Sequence, residues 1–280
     1  MKTIGVKRVK SALLFGGFWI SMALAQPAKL AIVIDDIGYH QKEDAQIYAL
    51  PKEISVAIIP SAPHARQRNE QAYQQDRDIL IHMPMQPLSH QRIEAGGLHV
   101  GMRQEDVQQR VQTAKAIVSH AIGMNNHMGS AATTDEELMR KLMQELKVQD
   151  LFFLDSRTIG RSVAGKIAKE YGVQSLDRHI FLDDKDTYAD VERQFQRAVH
   201  YAQKHGTAIA IGHPRKNTVA VLQAGLKHLP DNVRLVGMGR LWRSETGTAP
   251  KPLISLFNTM PAPTSNMPYQ AVPMLRGIPQ

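Results

Sequence analysis

Short apolar runs recur along the chain, each separated from the next by a longer segment of mixed polarity. They read "LAIVI", "ISVAII", "DILIHM", "AIGMNN", "LFFLD", "HIFLD", "TAIAIG" and "VRLVGM". Near-continuous apolarity over so short a span is what a parallel strand covered on both faces requires. The segments between most of them carry a helical period. "EDVQQRVQTAKAIVSH" places Val107, Val111, Ala114 and Val118 on one face. "TTDEELMRKLMQELK" offers a threonine cap, an acidic first turn, apolar Leu138, Leu142, Met143 and Leu146, and Lys147 at its end. "DVERQFQRAVHYAQKHG" stops on Gly206, a residue suited to the left-handed C-cap. Alternation of strand and helix predicts an α/β fold with a parallel sheet. About eight such units in roughly 210 residues fit an irregular (β/α) barrel of about seven to eight parallel strands better than an open doubly wound sheet. In either architecture the functional site belongs at the carboxyl ends of the strands.

The two ends of the chain break this pattern. Lys2, Lys7, Arg8 and Lys10 precede the apolar stretch "SALLFGGFWISMALA", which closes on Ala23-Leu24-Ala25. A basic head, a short apolar core and an A-x-A site describe a secretory signal peptide over residues 1–25, cleaved before Gln26. The apolar run is shorter than the roughly 20 residues a spanning helix needs. The expectation is a periplasmic or secreted protein with no membrane span after cleavage. From Thr246 the period vanishes, and seven of the 15 prolines fall in residues 246–280. That composition predicts a mostly disordered, Pro-rich tail, whose scattered Leu, Phe and Met offer contacts for an envelope protein partner. The folded domain is therefore expected over residues 26–245.

Charge and cysteine usage change the picture little. The formal net charge is +8, and four of the basic residues lie in the leader, leaving +4 for the mature chain. Lys and Arg are dispersed, without a basic block or interleaved aromatics, so nucleic acid is not an expected partner. The chain has no cysteine, so an exported domain of this sequence must rely on a packed core rather than disulfides.

Chemistry-bearing residues gather where the fold would put a site. The successive runs end at Asp35-Asp36, at Pro60 with His64 just beyond, at His82, at Asn125-Asn126-His127, at Asp155-Ser156-Arg157, at Asp183-Asp184 and at His213. Adjacent aspartates at a strand end repel unless a cation neutralises them. A divalent metal does so, with one aspartate as ligand and the other taking a proton from the attacking water. His82 and His127 are the partner ligands, since two imidazoles and a carboxylate suit zinc with positions left open. The bland alternative is that the Asp pair caps the following helix. Paired carboxylates such as Asp35 and Asp155 also fit a glycoside hydrolase, which would leave the histidines without a task.

Taken in order, "IDDIG", "IHMPMQP", "NNHMGS", "FFLDSRT", "IFLDD" and "AIAIGHP" resemble the divergent polysaccharide deacetylase family over Lys29 to Leu241. That family is a distant branch of the carbohydrate esterases, which remove acetyl groups with a metal on an irregular (β/α) barrel. The resemblance implies Asp35 as general base, Asp36 as metal ligand and His213 as general acid. It implies a carbohydrate or peptidoglycan-like substrate. Asp155 is then expected to orient His213 or Asp35, while Arg157, Asn126 and Ser130 line the pocket and His64 its rim. Two departures stand out. The spaced pair His-x-x-x-His is absent, because Met83, Pro84, Met85 and Gln86 follow His82, and "NNHMGS" replaces the arginine-proline motif. These departures also admit an inactive carbohydrate-binding or scaffold protein on the same fold.

Overall fold

The computed structural model describes residues 26–245, so the expected leader and Pro-rich tail lie outside the described residues. The chain alternates β1 (Ala28–Ile37), α1 (Gln41–Tyr48), β2 (Ser55–Ile58), α2 (Ala65–Gln74), β3 (Ile79–Met85), α3 (Gln104–Ile117), β4 (Gly123–Met128), α4 (Glu136–Val148) and β5 (Phe152–Asp155). It continues through α5 (Ala164–Tyr171), β6 (Ser175–Asp177), β7 (Ile180–Phe181), α6 (Tyr188–His205), β8 (Thr207–Gly212), α7 (Lys216–Gly225), β9 (Val233–Leu235) and α8 (Met238–Glu245).

Every strand pairing is parallel, and eight strands run in the order β6-β5-β4-β3-β2-β1-β8-β7, with β9 beside the start of β1. β6 and β7 stand at opposite ends of that order, yet only Arg178 and His179 separate them in sequence. Strands lie about 4.8 Å apart, so a flat sheet of eight would be roughly 34 Å wide. Two residues cannot cross it, and the sheet must curl until its edges nearly meet. The result is an incomplete barrel with a seam between β6 and β7. β6 was not visible in the sequence: "SLD" is three residues long and half exposed, with too little apolar content to register.

Alternation along each strand divides the core in two. Leu30, Ile32 and Ile34 of β1 pack outward with the helices, as do Met124 of β4 and Phe153 of β5. Ala31 and Val33 face inward with Ala57, Leu80, Phe152, Leu154, Ile209 and Ile211, filling the barrel. Gly123 belongs to the inward set, and a Cβ there would stand 2.5 Å from the Phe152 ring. Glycine is what lets that ring occupy the interior. α8 closes the amino end of the barrel. Met238 N–H donates to Ser55 Oγ at the start of β2, Gly239 N–H donates to Asp78 just before β3, and Trp242 packs against Phe152. The carboxyl end is left as the accessible mouth. No helix among the described residues is long and apolar enough to cross a membrane.

Helix ends follow the sequence signals with one correction. Gly206 ends α6 in the left-handed region (φ 79°), as its position predicts. α4 is capped by Asp135, whose carboxylate accepts from Leu138 N–H at 2.7 Å, and not by threonine. Thr133 and Thr134 lie in a preceding 3-10 turn, where their hydroxyls donate to Gly129 and Ala131 carbonyls instead.

Candidate metal and acid–base site

The inward parity that fills the barrel also selects the residues at its mouth. Continuing from Ala31 and Val33 gives Asp35; from Leu80, His82; from Gly123, Asn125 and His127; from Ile209 and Ile211, His213; from Phe181, Asp183. Asp36 has the wrong parity and should face the helices. It reaches the mouth because its backbone takes φ +57°, at a break in the β1–β2 register between Ile34 and Ile37. A bulge of this kind re-aims a side chain at a functional rim, and Asp is among the few non-glycine residues that tolerate the conformation.

Three donor atoms converge there. Asp36 Oδ1 lies 3.0 Å from His127 Nδ1 and 3.2 Å from His82 Nε2, and the two imidazole nitrogens are 3.1 Å apart. Asp36 Oδ1 is buried yet makes no well-aligned hydrogen bond. Proximity without alignment fits three lone pairs directed at a shared point. Zinc held at about 2.0–2.1 Å in a tetrahedron would separate its ligand atoms by roughly 3.3–3.4 Å. The nearly equilateral triangle of Asp36, His82 and His127 therefore fits a small divalent cation.

A neighbouring amide fixes His82 in the ligating tautomer. Asn125 Nδ2 donates to Asp35 Oδ1 at 2.8 Å, so its Oδ1 must accept, and the donor is His82 Nδ1–H at 2.8 Å. Nε2 of His82 is thereby left facing the triangle. On His127 Nδ1 faces Asp36, while Nε2 makes no hydrogen bond and has Glu94 Oε1 as a carboxylate neighbour at 3.5 Å. Glu94 was missed in the sequence, because it sits in the long loop after β3 with no strand end or motif to flag it. Glu94→Gln removes the carboxylate nearest His127 Nε2 and should weaken metal affinity by up to about tenfold, the lower end of the effect of losing a hydrogen-bonded partner of a ligating histidine, measured by competition with a chromophoric chelator. Unchanged affinity would assign Glu94 to the loop alone.

The acid–base groups flank the triangle. Asp35 is 3 % exposed, and burial pushes its pKa up against the opposing pull of His82 and His213. Burial acts in the same direction on Asp36, but its contacts with His127 and His82 hold that carboxyl far below the usual range. His82 loses by burial but gains more from Asp35 and Asp36, reaching about 9 before any cation displaces its proton. His213 Nε2 is 3.7 Å from Asp36 Oδ2, and its Nδ1–H donates to Asp183 Oδ1 at 2.9 Å. Although burial disfavours the cation, that carboxylate raises the imidazole's pKa. Asp183 is itself fixed by His213 N–H and Thr218 Oγ–H, both at 2.7 Å.

The residue oriented on His213 is thus Asp183, and not Asp155. Asp155 shares parity with Phe153 and points outward. Its Oδ1 accepts from Arg157 N–H at 2.7 Å, and burial raises its pKa. Asn126 also points outward, donating to Met128 O and accepting from Ser156 N–H, so its amide is spent on backbone. Ser130 Oγ accepts from Leu88 N–H and pins the loop that carries Glu94. Arg157 lies 4.0 Å from Asp155 and 3.9 Å from Asp177, away from the triangle. His64 flanks the turn after Asp36, its N–H donating to Gly38 O and its ring contacting Gln41. That turn is tied from beneath by buried Asp44, which accepts from Gly38 N–H and Arg68 Nε–H.

Known proteins share the sequence and the fold of this chain. The chain is 65 % identical over 273 residues to an uncharacterized protein of Haemophilus influenzae, covering 97 % of both chains. It is 42 % identical over 236 residues to the uncharacterized protein YibQ of Escherichia coli K12, covering 82 % of this chain and 74 % of that one. The crystal structure of the uncharacterized protein ATU2773 from Agrobacterium tumefaciens C58 shares the fold, with a TM-score of 0.72 at 21 % identity, over 78 % of this chain and 91 % of that one. Residues 32–242 match the family described as divergent polysaccharide deacetylase, a span that runs from within β1 into α8. The chain belongs to the divergent polysaccharide deacetylase family.

Proposed function

We propose that this chain is an exported, metal-dependent hydrolase that removes acetyl groups from a cell-envelope polysaccharide or related carbohydrate. The observation that carries the reading is the convergence of Asp36, His82 and His127 beside a buried carboxylate and a carboxylate-bound imidazole. Family membership supplies the acetylated-carbohydrate class. Export rests on the leader-like residues 1–25, and a contact with an envelope protein would fall to the Pro-rich residues 246–280.

Bound at the triangle, a divalent cation, zinc by its donor set, supplies Lewis-acid polarisation of the acyl oxygen and acidifies water. The chain's own groups manage the protons. Asp35 accepts one from the water that attacks the acetyl carbon, and Asn125 holds the carboxylate in place through Oδ1. His213, kept protonated and aligned by Asp183, donates to the departing amine nitrogen or sugar oxygen as its bond to the acyl carbon breaks. Acetate and the free amine or hydroxyl are the products. The absent second histidine of the β3 motif costs nothing here, because β4 delivers His127 to the position beside His82.

Purified chain should carry one divalent metal per molecule by elemental analysis and release acetate from acetylated chito- or peptidoglycan fragments. Chelation should abolish release, and zinc should restore it. A protein that takes up no metal on incubation with zinc would instead be a binding or scaffold protein on this fold.

A further inference from the structure

A second groove opens beside the mouth, at the seam where the barrel fails to close. It measures about 520 Å³ and is lined by Ser156 and Arg157 after β5, Arg178 and Phe181 at the seam, Asp184, and Arg197 of α6. That volume is within the range of small-molecule sites. Three guanidinium groups line it together with Asp184; Arg157 stands 3.9 Å from Asp177 and 4.0 Å from Asp155, which leaves Arg178 and Arg197. Among the described residues no carboxylate lies within 4.0 Å of Arg178 or Arg197. Arg178 is half-buried: its Nε–H donates to Ser156 O at 2.6 Å, its Nη2–H donates to Arg157 O at 3.0 Å, and its guanidinium carbon lies 4.9 Å from the Phe181 ring centre. Carbonyls and an aromatic face orient the cation, and Asp35, Asp155 and Asp184 act on it only from beyond ion-pair distance, so the guanidinium is held in place without a direct carboxylate partner.

This groove shares its walls with the proposed reaction site. The Phe181 ring meets the His213 ring edge-on at 5.3 Å between centres. Ser156 Oγ is 3.4 Å from the Asn125 amide that holds Asp35. A sugar unit adjoining the one at His213 would therefore rest against Phe181 with its substituents toward the arginines. Planar, forked guanidinium groups match carboxylate and phosphate oxygens in pairs.

We propose that the seam groove is an anion-binding subsite that recognises a carboxylate- or phosphate-substituted sugar next to the acetylated residue. The inference rests on the deacetylase reading for the neighbouring sugar, but not for the anion site itself. Its test is therefore direct binding, without turnover. The full chain is titrated calorimetrically with N-acetylglucosamine, N-acetylglucosamine 6-phosphate and N-acetylmuramic acid at constant ionic strength.

At least one anionic sugar should bind about tenfold or more tightly than the neutral one, the tighter of the two naming the substituent. Arg197→Ala removes an exposed side chain that donates to Gln194 Oε1, so the fold should survive. Arg178→Lys keeps the charge but loses the fork. Each should erase most of the anionic preference while leaving neutral-sugar binding unchanged, and Arg197→Ala should leave the melting temperature unchanged as well. Equal affinity for neutral and anionic sugars, or a preference untouched in Arg197→Ala and Arg178→Lys, overturns the subsite. Anion-selective binding without acetate release would uphold it and overturn the hydrolase reading; acetate release from neutral glycans with no arginine dependence would do the reverse.

Discussion

Asp36→Asn should purify without stoichiometric metal and release acetate at least about 10³-fold more slowly than the parent chain. Asp36 supplies the only carboxylate of the triangle, and its Oδ1 is within 3.2 Å of both imidazole nitrogens. An amide of the same shape offers a neutral oxygen where an anion is needed. Losing several kcal/mol of charge stabilisation at the acyl oxygen corresponds to three or more powers of ten in rate. Asparagine is the better choice than alanine because residue 36 lies at φ +57°. Asn tolerates the left-handed region, whereas Ala adds a backbone cost of roughly 1–2 kcal/mol that would confuse ligation with folding. The parent chain provides a companion readout. His82 must shed its proton to ligate, and that proton leaves with a pKa of about 9. Apparent metal affinity should thus climb with pH, up to about tenfold per unit, and level off near 9. Stoichiometric metal retained in Asp36→Asn would remove Asp36 from the ligand set and with it the main support for the mechanism.

The bulge that makes Asp36 a candidate ligand shows where sequence reading stops. Apolar runs and helical periods were enough to place β1 through β5 and β8, because a strand buried on both faces has no freedom to hide its composition. Strand ends then pointed to Asp35, Asp36, His82, His127 and His213, and the structure brings all five together. Parity within the strands separates the rest. Asp155 and Asn126 end their strands as conspicuously as Asp35 does, but sit one residue out of phase and face the helices. Phase could have been read by counting from Phe152 and Leu154, had it been known which face of β5 fills the barrel. Asp183 was visible at a strand end, yet its pairing with His213 depends on β7 and β8 lying side by side across α6 in the right register, a tertiary contact no local pattern encodes. Glu94 had no signal at all, since it acts from a loop whose path is set by distant pins such as Ser130.

Asp35→Asn should separate proton transfer from metal binding. Asparagine at 35 can still accept from Asn125 through its carbonyl, so the hydrogen-bonded row to His82 survives, and Asp35 Oδ2 is farther from His82 than Asp36 is, at 3.6 Å against 3.2 Å. Metal content should therefore stay at one per chain. What disappears is a buried carboxylate beside the ligand triangle that, unlike Asp183 with His213, makes no hydrogen bond to an imidazole. General-base catalysis of this kind is worth about 10²–10⁴-fold, so kcat should fall by that factor with little change in KM. The pH profile provides the discriminating readout. In the parent chain the base works only when deprotonated, so activity should rise with pH through the Asp35 pKa, which burial sets above the ordinary value for an aspartate. In Asp35→Asn that rising limb should vanish while the fall at high pH, as His213 loses its proton, remains. A variant that keeps more than about a tenth of the parent kcat, with the rising limb intact, would assign the base elsewhere. His213 would then have to act in both directions, accepting the proton from water through Nε2 and returning it to the leaving group, with Asp183 stabilising the cation between the two steps.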